Sequence, residues 1–275
     1  MNLATLATEA RNPLTEHIDE LSTLQMLRLI NDEDAKVAAA VAAVLPEIAK
    51  AVDAIAHRFE QGGRLFYIGA GTSGRLGVLD ASECPPTFSV PPTLFQGLIA
   101  GGDSALRNSS EASEDSPGQG AADLAARSIT QRDTLVGIAA SGRTPYVLGA
   151  LAHAKKIGAL TIALTCVPNS AMAEVADISI APLTGPEVLT GSTRMKAGTA
   201  TKLVLNMLST GAFIRLGYVH GNLMVNVQPK NSKLLDRAVR IVAETKGMSY
   251  PDAARLLAAF GNDVRAAING SEPEK

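Results

Sequence analysis

Short apolar runs alternate with helical patterns over most of this chain, and that alternation constrains the fold more than any other feature. The runs are apolar throughout, rather than at every second residue, which is typical of strands buried on both faces. Strands that alternate with helices predict a parallel sheet. We therefore expect a doubly wound α/β fold, with a mainly parallel sheet and helices on both of its faces. The strand-like runs are residues 64–69, 94–100, 134–140, 159–165 and 178–181.

Helical patterns lie before and between these runs. Apolar residues recur at helical spacing over residues 34–59, where only Pro46 interrupts them. This pattern predicts one long N-terminal helix. Further helices are predicted at residues 74–82, 118–128 and 145–157, between strands, and at residues 193–216, after the last strand.

The last part of the chain has a different pattern. It contains no strand-like run after residue 230, only helical pieces that glycines and a proline separate. These pieces are residues 234–245, 249–260 and 262–268. We expect an α/β domain with N-terminal helices over residues 1–228 and a small helical appendage over residues 229–275.

Composition excludes several classes of protein. With 25 Lys and Arg against 27 Asp and Glu, the chain lacks the basic excess of a nucleic-acid-binding protein. Its longest charge-free stretch, residues 85–102, contains four prolines, so no membrane span is expected. Two cysteines do not make a secreted disulfide scaffold, and residues 1–12 do not resemble a signal peptide. These features predict a cytoplasmic protein.

A glycine-rich turn follows the first predicted strand, with the sequence GAGTSGR at residues 69–75. Such a turn directs backbone N–H groups and the positive end of a helix at an anion. Thr72 and Ser73 add hydroxyl donors. The turn also has a purely structural interpretation, as a tight connection from strand to helix. It matches neither the dinucleotide fingerprint nor the Walker A loop.

A second turn of the same kind, ASGRTP at residues 140–145, follows the third predicted strand. Ser141 and Thr144 flank this turn, and Pro145 suits the first position of a helix. Ligands of open α/β sheets bind outside the carboxyl ends of the strands. The two turns together therefore predict a site for a phosphate ester.

A longer run, GPEVLTGSTRMKAGT at residues 185–199, resembles the signature shared by N-acetylmuramic acid 6-phosphate etherases and the glucokinase regulatory protein. The runs GAGTSGR and SECPPTF, at residues 69–75 and 82–88, resemble the etherases in particular. The similarity covers nearly the whole chain. It implies the sugar isomerase (SIS) fold, which binds phosphosugars through Ser and Thr at such turns.

The resemblance also implies a reaction, the removal of the D-lactyl ether from C3 of N-acetylmuramic acid 6-phosphate. In the open-chain sugar the C1 aldehyde acidifies the C2 proton. A base can remove that proton, an acid can protonate the departing lactate oxygen, and water can then add at C3. Two carboxyl groups suffice, so no metal or redox cofactor is expected. The implied partners are the phosphosugar substrate and a second copy of the chain in a homodimer, with neither nucleic acid nor a membrane.

The resemblance assigns catalytic roles to Glu83 and Glu114. Two prolines follow Glu83 closely, and this uncharged, apolar neighbourhood favours the protonated acid. Glu114 lies in an acidic stretch, residues 109–115, that would otherwise be interpreted as an exposed loop. The expected substrate-binding residues are Gly71, Thr72, Ser73, Ser141, Gly142, Thr144, Glu187, Ser192 and Lys196.

Several alternatives remain open from the sequence. Glu187 either orients the sugar or caps the following helix. Arg75, Arg143 and Arg194 could each neutralise the phosphate or the lactyl carboxylate. An aldose–ketose phosphosugar isomerase or a non-catalytic phosphosugar sensor would share the fold.

The distance between the first turn and Glu83 raises a question about subunits. In a regular helix, the nine residues from Gly74 to Glu83 span about 13 Å. The phosphate and C3 of one sugar are closer than that. Either the helix breaks before Glu83, or Glu83 serves the site of a second subunit.

Overall fold

The computed structural model describes residues 8–108, 113–226 and 232–270. Its strands are β1 (Leu65–Gly69), β2 (Phe95–Ile99), β3 (Thr134–Ile138), β4 (Leu160–Leu164) and β5 (Ile178–Ile180), followed by two short strands, β6 (Val219–His220) and β7 (Leu223–Met224). Within the described residues β1 to β5 form one parallel sheet, and β6 pairs with β7 in an antiparallel hairpin. The five predicted strands and their parallel arrangement are confirmed.

The order of strands in the sheet is β2-β1-β3-β4-β5. The chain adds β2 on one side of β1 and then returns to add β3 on the other side. In open α/β sheets ligands bind at the carboxyl ends of the strands where the order reverses in this way. Gly69 at the end of β1 pairs with Ile138 at the end of β3, so the two predicted turns begin side by side.

Helices precede the sheet, connect its strands and make up most of the chain after it. In chain order they are α1 (Thr23–Asp34), α2 (Val37–Ala42), α3 (Leu45–Glu60), α4 (Gly71–Phe88), α5 (Pro117–Ala125), α6 (Pro145–Ile157), α7 (Ala171–Val175), α8 (Lys196–Arg215), α9 (Ser232–Lys246), α10 (Tyr250–Ala259) and α11 (Val264–Asn269). No helix among the described residues is long and apolar enough to cross a bilayer.

The prediction of one helix over residues 34–59 is wrong, because the chain forms α2 and α3 there. Pro46 lies in the first turn of α3, where its missing N–H group would have no intrahelical partner in any case. Val44, the N-cap residue directly before α3, has φ −114° and ψ 16°, outside the helical range. Proline therefore starts a new helix here instead of interrupting one.

Hydrogen bonds to one carboxylate connect β1 with the helices α4 and α8. The hydroxyl of the fully buried Tyr67 on β1 donates to Asp80 on α4 at 2.9 Å. Ser209 on α8 donates to the same carboxylate at 3.2 Å. Burial raises the pKa of Asp80, although both hydrogen bonds act against the rise. These bonds stabilise the position of α4, whose N-terminus follows the first glycine-rich turn.

The chain divides into two compact units. The first comprises Met1–Ser82 and Pro92–Ala212, and the second comprises Glu83–Pro91 and Phe213–Lys275. The expected domain boundary at residues 228–229 lies outside the described residues.

The second unit has a core of its own. Phe88 stacks on Phe213 with a ring-centroid distance of 4.1 Å, and the Phe88 carbonyl accepts a hydrogen bond from Asn226 at 2.7 Å. Helices α9, α10 and α11 pack around buried apolar residues that include Val242 and Leu257. The predicted C-terminal helices are therefore present, and the unit also includes the end of α4.

Candidate active site

The turns that follow β1 and β3 lie at one cavity of about 490 Å³ in the first unit. The first turn contributes Gly71, Thr72 and Ser73, and the second contributes Ser141 and Thr144. These residues meet because β1 and β3 are parallel neighbours whose carboxyl ends lie at the same edge of the sheet. The structure thus brings together most of the hydroxyl groups that the sequence singled out.

The first turn is tight enough to exclude side chains at two of its glycines. A Cβ on Gly69 would lie 2.7 Å from the amide nitrogen of Gly74, and a Cβ on Gly74 would lie 2.7 Å from the carbonyl oxygen of Gly69. This close approach lets α4 begin directly at the strand end. The first amides of α4 have no intrahelical acceptors, so they are available to an anion at the cavity.

The second turn is held by contacts with α7. Gly142 has φ +64°, and a Cβ there would lie 2.3 Å from the Cβ of Ser170. Its carbonyl accepts a hydrogen bond from Met172 at 3.0 Å. Gly142 itself does not line the cavity, but it fixes the backbone on which Ser141 lies.

Thr144 is the N-cap residue of α6, yet its side chain makes no capping hydrogen bond. The N-cap serines of α5 and α7, Ser116 and Ser170, do accept such bonds, each at 3.2 Å. A cap hydroxyl that leaves its own helix uncapped can donate to a ligand at the helix N-terminus. This difference favours an anion beside Thr144.

Carboxyl groups also line the cavity, namely those of Glu9, Glu114 and Asp115. The half-buried Glu114 is held by its backbone, because its carbonyl oxygen accepts the amide hydrogen of Tyr146 on α6 at 2.9 Å. Residues 109–112 of the predicted acidic stretch lie outside the described residues. Asp115 and Glu9 were missed by the sequence reasoning. Asp115 could have been found as the neighbour of Glu114, whereas nothing in the sequence marks Glu9.

The three candidate arginines have different surroundings. The guanidinium of Arg75 donates to the backbone carbonyls of Ala105 and Leu106, at 2.8 and 3.1 Å. Arg194 is exposed and lies outside the cavity wall, whereas Arg143 lines the cavity. Among the described residues no group of three or more His, Cys, Asp or Glu side chains could hold a metal ion.

Residues 47–155 match the family described as the glucokinase regulatory protein N-terminal SIS domain, and residues 116–211 match the SIS domain family. The N-acetylmuramic acid 6-phosphate etherase of Aliivibrio salmonicida is 58% identical over 268 residues, which cover 98% of this chain and 89% of that protein. The chain belongs to the N-acetylmuramic acid 6-phosphate etherase family. The etherase of Symbiobacterium thermophilum has the same identity and coverage.

Solved structures show how this etherase-family chain relates to other SIS proteins. A phosphoheptose isomerase from Francisella tularensis is 23% identical, with a TM-score of 0.54 over 70% of this chain and 98% of that one. At this identity the likeness concerns the fold alone. It agrees with the parallel sheet and the surrounding helices, and the predicted SIS fold is confirmed.

The etherase signature, residues 185–199, leads into α8. Both carboxylate oxygens of the buried Glu187 accept backbone N–H groups, from Lys196 at 3.0 Å and from Ala197 at 2.9 Å. Glu187 therefore caps α8, and its negative charge suits the positive helix end. Of the two functions that the sequence left open for Glu187, the structure shows the cap.

The other predicted substrate contacts from the signature also lie outside the cavity wall. Ser192 is part of the turn before α8, and Lys196 is buried. The signature residues that do line the cavity are Thr193, Ala197 and Gly198, together with Thr201 one turn further along α8. The signature therefore does line the cavity, but through Thr193 and Ala197, which directly follow the predicted Ser192 and Lys196 in the chain.

Lys196 is one partner of a buried ion pair. Its Nζ lies 2.5 Å from Glu33 Oε2, and the two side chains are only 2% and 4% exposed. Asn12 donates to the same Glu33 oxygen at 3.1 Å, and Lys36 is a further cationic partner. Burial alone would raise the pKa of Glu33, but the hydrogen bonds and charges of Lys196 and Lys36 outweigh it and lower that pKa. The pair connects the end of α1 with the start of α8.

Glu83 differs most from its expected setting. Helix α4 continues without a break to Phe88 and contains Pro85 and Pro86, so the predicted end at residue 82 is wrong. Each of these prolines supplies a φ near the helical value but has no N–H group, so the two prolines remove two backbone hydrogen bonds from the last turns of α4. Among the described residues the side chain of Glu83 is exposed, whereas we expected it to lie in apolar surroundings.

Proposed function

We propose that this protein is a carbon–oxygen lyase that converts N-acetylmuramic acid 6-phosphate and water into N-acetylglucosamine 6-phosphate and D-lactate. The 58% identity to an etherase across 98% of the chain carries this proposal. The cavity supports it, because it combines two anion-binding turns with carboxyl groups that could act as bases. Neither feature requires a cofactor.

In the proposed reaction Glu114 removes the C2 proton of the open-chain sugar. The electron pair forms the C2–C3 double bond, the C3–O bond breaks, and Glu83 protonates the departing lactate oxygen. Water then adds to C3 of the unsaturated aldehyde, and a proton returns to C2. Glu114 suits the first step because its loop is held against α6 at the cavity wall.

Incubation with N-acetylmuramic acid 6-phosphate tests this proposal. We expect one D-lactate for each N-acetylglucosamine 6-phosphate. In ¹⁸O-labelled water the label should enter the sugar at C3, because the lactate keeps the ether oxygen. A phosphosugar isomerase would release no lactate, and a non-catalytic sensor would bind the sugar unchanged. Either result would contradict the proposal.

The phosphate is proposed to bind to hydroxyls and amides of both turns. We expect Ser73→Ala and Ser141→Ala each to weaken phosphosugar binding by about tenfold or more, the loss of a hydrogen bond to a charged group. Calorimetric titration with N-acetylglucosamine 6-phosphate would measure this. Ser104→Ala is the control, because Ser104 is exposed, its hydroxyl donates to the carbonyl of Gly101, and it lies outside the cavity wall. Unchanged affinity in both variants would contradict binding by the two turns.

We place the reaction in the cytoplasm, in the recycling of cell-wall amino sugars. Neither Cys84 nor Cys166 forms a disulfide, and both are buried. Cysteines that form no disulfide are compatible with a reducing compartment.

We further propose a homodimer in which each Glu83 serves the site of the other copy. Leu14, Leu24 and Leu27 are 60%, 59% and 53% exposed in the single chain, and a second copy could cover these apolar side chains. The continuous α4 supports this arrangement, because the alternative was a helix that ends before Glu83. Along that helix Glu83 lies about 13 Å from Gly74.

Mixing two inactive variants tests the shared site. One variant is Glu83→Gln, and the other is the double variant Ser73→Ala with Ser141→Ala. The two are mixed under conditions in which the dimers exchange subunits. We expect partial recovery of D-lactate release, because one site of the mixed dimer receives both intact parts. Light scattering and native mass spectrometry would confirm the dimer and the exchange. A mixture that exchanges and stays inactive would place Glu83 in the site of its own chain.

A further inference from the structure

Arg143 has a buried nitrogen for which the described residues offer no acceptor. Its Nη1 atom is shielded from solvent and makes no hydrogen bond within the described part of the chain. Buried polar groups in proteins are nearly always hydrogen-bonded, and a guanidinium has five N–H donors to satisfy. An N–H group of this kind at a cavity wall points to a ligand that accepts hydrogen bonds.

The backbone holds Arg143 firmly in this place. It lies between Gly142, whose contacts with α7 were described above, and Thr144, the N-cap of α6. The carbonyl of Ala139 accepts the amide hydrogen of Gly142 at 2.9 Å, which closes the turn. A guanidinium on such a turn can select a ligand by geometry, because little backbone freedom remains to be lost on binding.

Arg143 differs in charge from the other ionisable side chains that line the cavity. Glu9, Glu114 and Asp115 line the same cavity, and Arg143 is the one Lys or Arg side chain among the described residues that lines it. The substrate of the proposed reaction carries two anionic groups, a phosphate and a lactyl carboxylate. The lactyl carboxylate would be repelled by these carboxylates unless a cation faced it.

The neutral donors of the cavity suit the phosphate. Helices α4 and α6 both present their N-termini there, with the hydroxyls of Ser73, Ser141 and Thr144. Such N-termini bind phosphate without a charged side chain. A guanidinium, in contrast, matches the planar carboxylate with two parallel hydrogen bonds.

We propose that Arg143 binds the carboxylate of the lactyl group and thereby selects ethers that carry this acid. The proposal rests on the proposed function, which supplies the lactyl substrate. Binding of this carboxylate also fixes the C3–O bond relative to Glu114, since the carboxylate is attached one carbon beyond the ether oxygen. Arg143 would thus distinguish the etherase substrate from phosphosugars without the lactyl group.

A cycle of paired changes in the protein and the substrate tests the proposal. The protein change is Arg143→Gln, and the substrate change converts the lactyl carboxylate into its carboxamide. We expect each change alone to lower kcat/KM by about tenfold or more, as for a lost hydrogen bond to a charged group. The two changes together should lower kcat/KM by no more than either change alone. Losses that multiply would overturn the proposal, because they would show that the two groups act independently.

N-acetylglucosamine 6-phosphate serves as the second probe, since it has the phosphate and lacks the lactyl group. Its inhibition constant should change by less than about twofold in Arg143→Gln, a change too small for a lost ionic hydrogen bond. An equal loss for this ligand and for the substrate would assign Arg143 to the phosphate and overturn the proposal.

Arg143→Lys is the control for a folding defect, because lysine keeps the positive charge but cannot form the two parallel hydrogen bonds of a guanidinium. We expect this variant to have an intermediate kcat/KM and an unchanged melting temperature. A wild-type protein that released no D-lactate would contradict the proposed function instead. Calorimetric binding of the carboxylate and carboxamide ligands would then still test Arg143.

Discussion

Glu114→Gln is expected to lose both D-lactate release and the exchange of the C2 proton with solvent deuterium. Glu83→Gln should release no lactate and still exchange that proton, because the base remains and only the acid is missing. A general acid or base contributes roughly 10²- to 10⁴-fold, so each loss of lactate release should lie in this range. Lactate assays and proton NMR in heavy water would measure the two steps separately.

Asp115 provides a sharp comparison for Glu114, because the two neighbouring carboxyl groups line the same cavity. We expect Asp115→Asn to keep the exchange that Glu114→Gln loses. The exposed Glu174 on α7 lies outside the cavity wall, and Glu174→Gln is the control for removal of a surface carboxylate. If Asp115→Asn lost the exchange and Glu114→Gln kept it, Asp115 would be the base. Exchange lost in Glu83→Gln alone would reverse the roles of the two glutamates.

Lys196→Met is expected to lower the free energy of unfolding by about 3–5 kcal/mol, because it leaves the Glu33 carboxylate buried without its main counter-charge. Urea unfolding followed by circular dichroism would measure this. Glu33 has a lowered pKa, so its contribution is complete above its unfolded-state pKa near 4.5 and is lost as the pH falls through the lower folded value. The deficit of Lys196→Met should therefore shrink in acid.

Lys36 is the matched control, since it also pairs with Glu33 but is 57% exposed. We expect Lys36→Met to cost no more than about 1 kcal/mol, because solvent screens an exposed pair. The double variant Glu33→Leu with Lys196→Met should regain much of the lost stability, as two apolar groups need no counter-charge. A Lys196→Met variant as stable as the parent would show that the pair is unimportant for folding.

Much of the fold could be predicted because its signals are local. Each strand of the sheet is a short apolar run, and the helices between strands have their own period. Helix α6 was placed correctly because Pro145 begins it and Gly158, with φ +86°, ends it. The N-terminal helices were misplaced because the pattern around Pro46 suits both a kink and a new helix. Nothing in the periodicity distinguishes these two outcomes.

The candidate site was only partly predictable. Ser73 and Ser141 were found because strand ends and glycine-rich turns have recognisable sequences. Glu9 was missed because it reaches the cavity from a segment distant along the chain, and Thr201 was missed because it lies just beyond the end of the signature. Lys196 was predicted to bind substrate, yet it pairs with Glu33, which lies 163 residues earlier. The residues next to Lys196 in the sequence do not indicate a pairing with so distant a partner.

The sequence by itself determined the parallel α/β architecture, the two turns at the strand ends and the resemblance to the etherases, since hydrophobic period, turn chemistry and motif are properties of neighbouring residues. Only the tertiary structure decided which charged groups face the cavity and which are buried in pairs. It separated Arg143 at the cavity wall from Arg75, which binds backbone carbonyls. The physical reason is that burial and electrostatic pairing depend on distances between groups that are far apart in the chain.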